Sequence, residues 1–265
     1  MPYAIIVVPV MPLRATASHK SEMISQGLWG ECVTLLETGA DGWVKVQCQF
    51  DGYEGWATVS HLEMIDQQLF DAPYTHYAPH WVTPVNINGW PMYIPYGCLV
   101  KAPGGKRTIW GKAEVQFEEI QPLAPQNEAP SGENLMRIAS RFLNCGYLWG
   151  GRSVFGIDCS GFTQSVYKLL SIPLLRDAYQ QASQGATVDF LQEARTGDLA
   201  FFDNEEGHIT HVGILLNDHE IIHASGKVRI DAIDNQGIIN TDTGLRTHKL
   251  RIIKRMGKGG VKGEK

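Results

Sequence analysis

Tyr147-Leu148-Trp149-Gly150-Gly151-Arg152-Ser153-Val154-Phe155-Gly156-Ile157-Asp158-Cys159-Ser160-Gly161-Phe162 is the segment on which the fold of this 265-residue chain turns. Its glycines mark a loop. Cys159 then opens a stretch in which Phe162, Val166 and Leu169-Leu170 share one helical face, ended by Ser171-Ile172-Pro173. The pattern predicts a thiol in the first turn of a helix behind a Gly-rich loop. Unpaired N–H groups and the helix dipole favour an anion there, so the expectation is a thiol pKa lowered toward the reactive range. The same N–H groups suit the oxyanion of a tetrahedral intermediate.

A thiolate needs a base, and the sequence downstream offers one. Strand patterns fall at residues 198–202, 208–216, 220–223 and 250–253. His211 lies in Thr210-His211-Val212-Gly213-Ile214-Leu215-Leu216, and His223 follows in Ile221-Ile222-His223. With a turn at 217–219 the two histidines become diagonal neighbours on one sheet face, about 7–8 Å apart or less. That supplies a nucleophile, a base and a polar residue to fix the base's tautomer. Taken singly, a cysteine at a helix start and a histidine in a strand are ordinary buried residues. His208 with His211 and His223 is a weak zinc set, because no nearby cysteine or HExxH pattern completes it. Neither metal nor other cofactor is expected.

Upstream of the loop, Leu135, Ile138, Ala139, Phe142 and Leu143 share a helical face, with Ser131 as N-cap. Helices first and strands after predict an α+β domain over residues 133–256 with a largely antiparallel sheet. Residues 1–66 have no helical period. Strand candidates at 32–37, 43–50 and 53–59 are separated by turn signals, including Asp51-Gly52, and suggest a small β-barrel. The apolar run 4–10 reads as a buried edge strand, too short to span a bilayer. Residues 67–121 fit a second, degenerate barrel, 122–132 a linker, and 257–265 a solvated tail.

Net charge −5 with 43% hydrophobic and 19% charged residues describes a globular chain without the basic surface that nucleic acid requires. The five cysteines, Cys32, Cys48, Cys98, Cys145 and Cys159, are odd in number and show no CxxC spacing, which argues against a disulfide framework. The start of the chain lacks a basic leader and a cleavage site, so a cytoplasmic location is expected.

Two resemblances sharpen these expectations. Gly42-Trp43-Val44-Lys45-Val46, Gly52-Tyr53-Glu54-Gly55-Trp56-Ala57 and Leu62 resemble the bacterial SH3 (SH3b) module. Tyr147-x-Trp149-Gly150-Gly151, Asp158-Cys159-Ser160-Gly161, Thr196-Gly197-Asp198-Leu199-x-Phe201-Phe202, His211-Val212-Gly213-Ile214 and His223-Ala224-Ser225 resemble, in order, the NlpC/P60 family of papain-like cysteine peptidases. That resemblance implies Cys159 as nucleophile, His211 as general base and acid, His223 as the residue orienting His211, and Tyr147 beside the oxyanion site.

The layout, SH3b-like modules ahead of the catalytic domain, resembles the γ-D-glutamyl-L-diamino acid endopeptidases of murein peptide recycling. It implies a murein-derived peptide, L-Ala-γ-D-Glu-diamino acid, as partner. Glu22 and Tyr53 would read its free amine, and Asp158, Ser160 and Asp177 would line the acyl-side pocket. Arg152 and Arg176 either meet substrate carboxylates or form structural ion pairs. The segment Arg176-Asp177-Ala178 has alanine where the family commonly has serine, which removes one side-chain hydrogen bond. The competing expectations are an exported hydrolase of polymeric wall, an acyltransferase or amidase on the same scaffold, and a non-catalytic wall-peptide-binding protein.

Overall fold

The computed structural model describes residues 2–101, 105–123 and 132–257. Most of the expected linker, the expected N-cap Ser131 and the tail beyond residue 257 lie outside the described residues. The chain divides into two compact units, Met1–Leu123 with Trp149–Phe155, and Ala124–Leu148 with Gly156–Lys265.

In the first unit, β1 (Tyr3–Ile6), β2 (Val10–Arg14), β3 (Met23–Leu28), β4 (Cys32–Thr38), β5 (Trp43–Cys48), β6 (Glu54–Thr58) and β7 (Leu62–Ile65) form one antiparallel sheet. The strand order is β3-β2-β6-β5-β4-β1-β7. Asp51-Gly52 turns β5 into β6, with Gly52 at φ 72°, a conformation open to glycine at little cost.

The expectation of an edge strand at residues 4–10 is corrected. β1 is an interior strand, paired with β4 on one side and β7 on the other. Its continuous apolar run is explained by burial on both faces. Ala4 and Ile6 pack into a cluster with Met11, Val33, Val44 and Val46, while Ile5 packs into a different one.

Helix α1 (Gln67–Asp71), capped by the Asp66 carboxylate on Leu69 N–H at 2.8 Å, leads into the rest of this unit. β8 (Tyr74–Tyr77), β9 (Val82–Ile87), β10 (Trp90–Pro95), β11 (Leu99–Lys101), β12 (Arg107–Trp110), β13 (Ala113–Phe117) and β14 (Gln121–Pro122) make two sheets, β10-β9-β13-β12 and β11-β8-β14. Ile5, Leu28, Trp29 and Cys32 share one buried cluster with Val85, Ile94, Val100, Trp110, Val115 and Phe117. Each such side chain contributes about 1.5–3 kcal/mol on burial, so residues 1–66 and 74–117 are held by one core. Strand β15 (Arg152–Ser153) also belongs to this unit.

The second unit begins with α2 (Gly132–Ala139), continued by a 3₁₀ turn at Ser140–Phe142. After β16 (Gly156–Ile157) come α3 (Cys159–Leu169) and the single turn α4 (Ala178–Gln181). The strands are β17 (Ala186–Val188), β18 (Leu199–Asp203), β19 (Ile209–Leu215), β20 (Glu220–Ser225), β21 (Lys227–Asp234), β22 (Gly237–Ile239) and β23 (Arg246–Arg255). They pair antiparallel in the order β17-β23-β18-β19-β20-β21-β22. Because β22 also pairs with β23, six of them close into a circuit. Ala200, Phe202, Leu215, Ile221, Ile233, Ile238 and Ile253 fill one face, and α3 packs against β19 and β20. This is the α+β architecture with an antiparallel sheet that the sequence predicts.

Candidate active site

Helix α3 begins at Cys159 because Asp158 caps it: the Asp158 carboxylate accepts from Gly161 N–H at 2.6 Å. The thiol lies against the backbone of β19. Its Sγ is 4.0 Å from Thr210 O, and the N–H groups of Val212 and Ser160 point at it. The backbone on either side of His211 therefore flanks the sulfur. The Tyr147 hydroxyl hydrogen-bonds to the same thiol, and burial pushes that hydroxyl well above its ordinary range, so it remains a donor.

The register Gly213↔His223 makes His211 and His223 diagonal neighbours on one face. Their rings meet directly, with His211 Nε2 2.9 Å from His223 Nδ1. Gly213 makes this approach possible, since a Cβ at that position would stand 2.8 Å from the Cβ of His223. Burial, followed by the neighbouring His248 and His223 rings, drives His211 well below its usual pKa, which favours its neutral form.

The expected lowering of the Cys159 pKa is corrected. Burial, with Asp158 adding to it, pushes the thiol up to about 11, against the opposing pull of the Val212 and Ser160 N–H groups and Arg176. Desolvation outweighs the helix N-terminus. Burial thus acts on Cys159 and His211 in the same sense, toward the uncharged thiol and imidazole.

Of the three residues expected in the acyl-side pocket, Asp158 and Ser160 are brought together by Arg176, and Asp177 follows it in the chain. Arg176 donates to both Asp158 oxygens, at 3.1 and 2.6 Å, and to Ser160 Oγ at 2.9 Å. Asp177 caps α4, and its N–H donates to Gln180 Oε1 at 3.0 Å.

In the first unit, Arg152 forms a two-pronged ion pair with Glu31, at 2.9 and 3.1 Å, and donates to Gln26 O at 2.6 Å. Both arginines are 1% exposed. Of the two roles foreseen for them, the structural ion pair is the one observed, because each guanidinium already faces a buried carboxylate. Glu22 is exposed, and its Oε1 accepts from the Trp149 indole at 2.7 Å. Tyr53 is half-buried just before β6.

Two neighbours of the histidines were not foreseen. His223 Nε2 lies 3.0 Å from Asp231 Oδ2, and the His248 ring stacks on His211 at 4.1 Å and 26°. The alternation of Arg229 and Asp231 along β21 was the available signal for the first. Among the described residues, no group of three or more His, Cys, Asp or Glu side chains is arranged to hold a metal ion.

Comparison with known proteins agrees with this geometry. Residues 145–247 match the NlpC/P60 family, and residues 13–62 match the bacterial dipeptidyl-peptidase Sh3 domain. A γ-D-glutamyl-L-lysine dipeptidyl-peptidase from Bacillus cereus is 28% identical over 87% of this chain and 77% of its own length. The enzyme of the same name from Bacillus subtilis is 37% identical over 44% of this chain and 39% of its own. The crystal structure of an NlpC/P60 family protein from Bacillus cereus superposes with a TM-score of 0.79 at 22% identity, covering 96% of this chain and 99% of that one. Residues 145–247 thus form an NlpC/P60 domain and residues 13–62 a bacterial SH3 domain, and the chain shares the fold of the solved structure.

Proposed function

We propose that the chain is an endopeptidase that cuts the bond between γ-linked D-glutamate and a diamino acid in murein peptides bearing a free N-terminal L-Ala. The observation that carries the peptidase chemistry is the cluster of Cys159, Tyr147, His211 and His223 in one unit. Cys159 attacks the γ-carbonyl as its proton passes to His211. Tyr147 and the N–H groups at the start of α3 receive the oxyanion. His211 then protonates the departing amine, and activates the water that releases the acyl group.

The names of the similar Bacillus enzymes support a γ-D-glutamyl bond as the target, and a dipeptidyl-peptidase needs a free amine at its substrate's start. Recognition of that amine is assigned to Glu22 and Tyr53 of the first unit. An ammonium leaving water needs an acidic partner, and Glu22 is a carboxylate already held in place by Trp149. Asp158, Ser160 and Asp177 are assigned to the acyl side. A cytoplasmic role in recycling released wall peptides belongs to the same proposal, and the five buried cysteines suit a reducing compartment.

The test is a mass-spectrometric digest of L-Ala-γ-D-Glu peptides ending in lysine or meso-diaminopimelate, each with its N-acetylated counterpart. Cleavage of the free peptides alone is expected, and Cys159→Ala should abolish it. Equal cleavage of both forms overturns the amine-reading role. No cleavage of any of the four overturns the substrate assignment.

A further inference from the structure

The hydrogen-bonded row of side chains does not end at the two histidines. Asp231 lies on β21, opposite Ile221, so it shares the face of β20 that carries His223. Its Oδ2 is 3.0 Å from His223 Nε2. Its Oδ1 receives the Thr241 N–H and an Arg229 N–H, each at 2.9 Å. Asp231 is 2% exposed and His223 is 1% exposed.

For two neutral rings, hydrogen-bond bookkeeping then fixes every proton. An ionised carboxylate only accepts, and a neutral imidazole carries one N–H. Facing Asp231, His223 must place that N–H on Nε2, which leaves Nδ1 with a lone pair. His211 Nε2, 2.9 Å away, must therefore be the donor of the contact between the rings. The lone pair of His211 is left on Nδ1 as the only basic nitrogen of that ring. Were His223 in its other tautomer, its Nδ1–H would donate to His211, and the proton of His211 would move to Nδ1.

From this geometry we propose that Asp231 is a positioning residue which sets the tautomers of both His223 and His211, and so decides which nitrogen of His211 is the base. The inference rests on His211 being the base for Cys159. It reaches the reaction two rings away without touching substrate. Arg229 and Thr241 determine what happens on substitution. In Asp231→Asn these two donors hold the amide oxygen, so the amide NH₂ turns to His223 Nε2 and the tautomer chain inverts.

The experiment is long-range ¹H–¹⁵N NMR of histidine-labelled protein, which reads tautomers without substrate and so stands or falls separately from the murein assignment. In the unsubstituted protein both His211 and His223 should be Nε2–H. In Asp231→Asn both should become Nδ1–H, with kcat on the cleaved peptide falling roughly 100-fold or more. KM should stay within about threefold, as expected for a group that acts on the chemical step. Alkylation of Cys159 by iodoacetamide at neutral pH should fall in parallel, roughly tenfold, giving a second readout that needs no peptide. His223 found as Nδ1–H in the unsubstituted protein overturns the proposal even if the variant does not fold. Unchanged tautomers or an unchanged alkylation rate in a folded variant overturn it as well.

Discussion

Cys159 is subject to opposing influences that can be ranked. The N-terminus of α3 and the Val212 and Ser160 N–H groups favour a thiolate, whereas near-complete burial and the adjacent Asp158 disfavour it, and the second pair wins. His211, buried against His248 and His223, is correspondingly reluctant to take a proton. Both shifts have the same origin, the cost of a charge in a buried site. In the proposed reaction the proton therefore moves late, when a carbonyl is in place for attack. Iodoacetamide alkylation of the substrate-free protein should be slow at neutral pH and climb until the medium approaches the thiol's raised pKa of about 11. A rate already level below about pH 8 would mean that a preformed ion pair holds the thiolate, contrary to this ranking.

The Trp149–Phe155 segment shows how an element is fastened by a few residues. Its contacts belong to the first unit. Gly150, at φ 76°, passes so close to Met23 that a Cβ would stand 2.3 Å from its carbonyl oxygen, so only glycine fits. Two residues later Arg152 enters β15, where its N–H donates to Gln26 Oε1 at 2.8 Å and its guanidinium pairs with Glu31. Glu31→Gln should leave Arg152 charged and poorly paired in a dry site, at a cost of about 3–5 kcal/mol in urea denaturation. Adding Arg152→Met should recover much of that loss, because two uncharged residues replace the broken pair. If Arg152 instead served a substrate carboxylate, Glu31→Gln would alter KM and leave stability alone. The sequence made the strands legible wherever alternation or an Asp-Gly turn marked them, as in β4 to β6 and β18 to β20. It made the thiol and the two histidines legible through their order and spacing. It could not show that Arg152 meets Glu31 from 121 positions away, or that β21 carries Asp231 to His223. Such pairings are set by strand order, and local pattern carries no information about strand order. β1 was misplaced for a related reason, since an apolar run reports burial without saying how many partners cause it.

Across the whole chain, the groups that make the site also distribute its acid sensitivity unevenly. His211 and His248 lie in the second unit, and burial holds both below the ordinary histidine value of 6.5, His248 at about 4. Below pH 6.5 the unfolded chain takes up protons at these positions that the folded unit refuses. Stability of this unit should therefore be fully present above that pH and fall as the medium is acidified toward about 4. Asp231, held low by His223, Thr241 and Arg229 against its burial, has the opposite kind of shift, since its charged form is the one favoured on folding. Its contribution is lost only below the ordinary carboxylate value of 3.8, which is outside the histidine window. In the first unit burial shifts His61 the same way. All seven tryptophans fall within Met1–Leu123 or Trp149–Phe155, so indole fluorescence follows the first unit alone. Hydrogen exchange of peptides from β18 to β23 follows the second. Between pH 7 and 4.5 the urea midpoint read by exchange should fall by the equivalent of roughly 1–3 kcal/mol, and the midpoint read by fluorescence by clearly less. His248→Phe, which keeps a ring against His211 and removes one titrating group, should shrink the exchange-detected loss. An equal fall in both midpoints, unchanged in His248→Phe, would assign the acid response to general charge repulsion instead of to the buried histidines of the site.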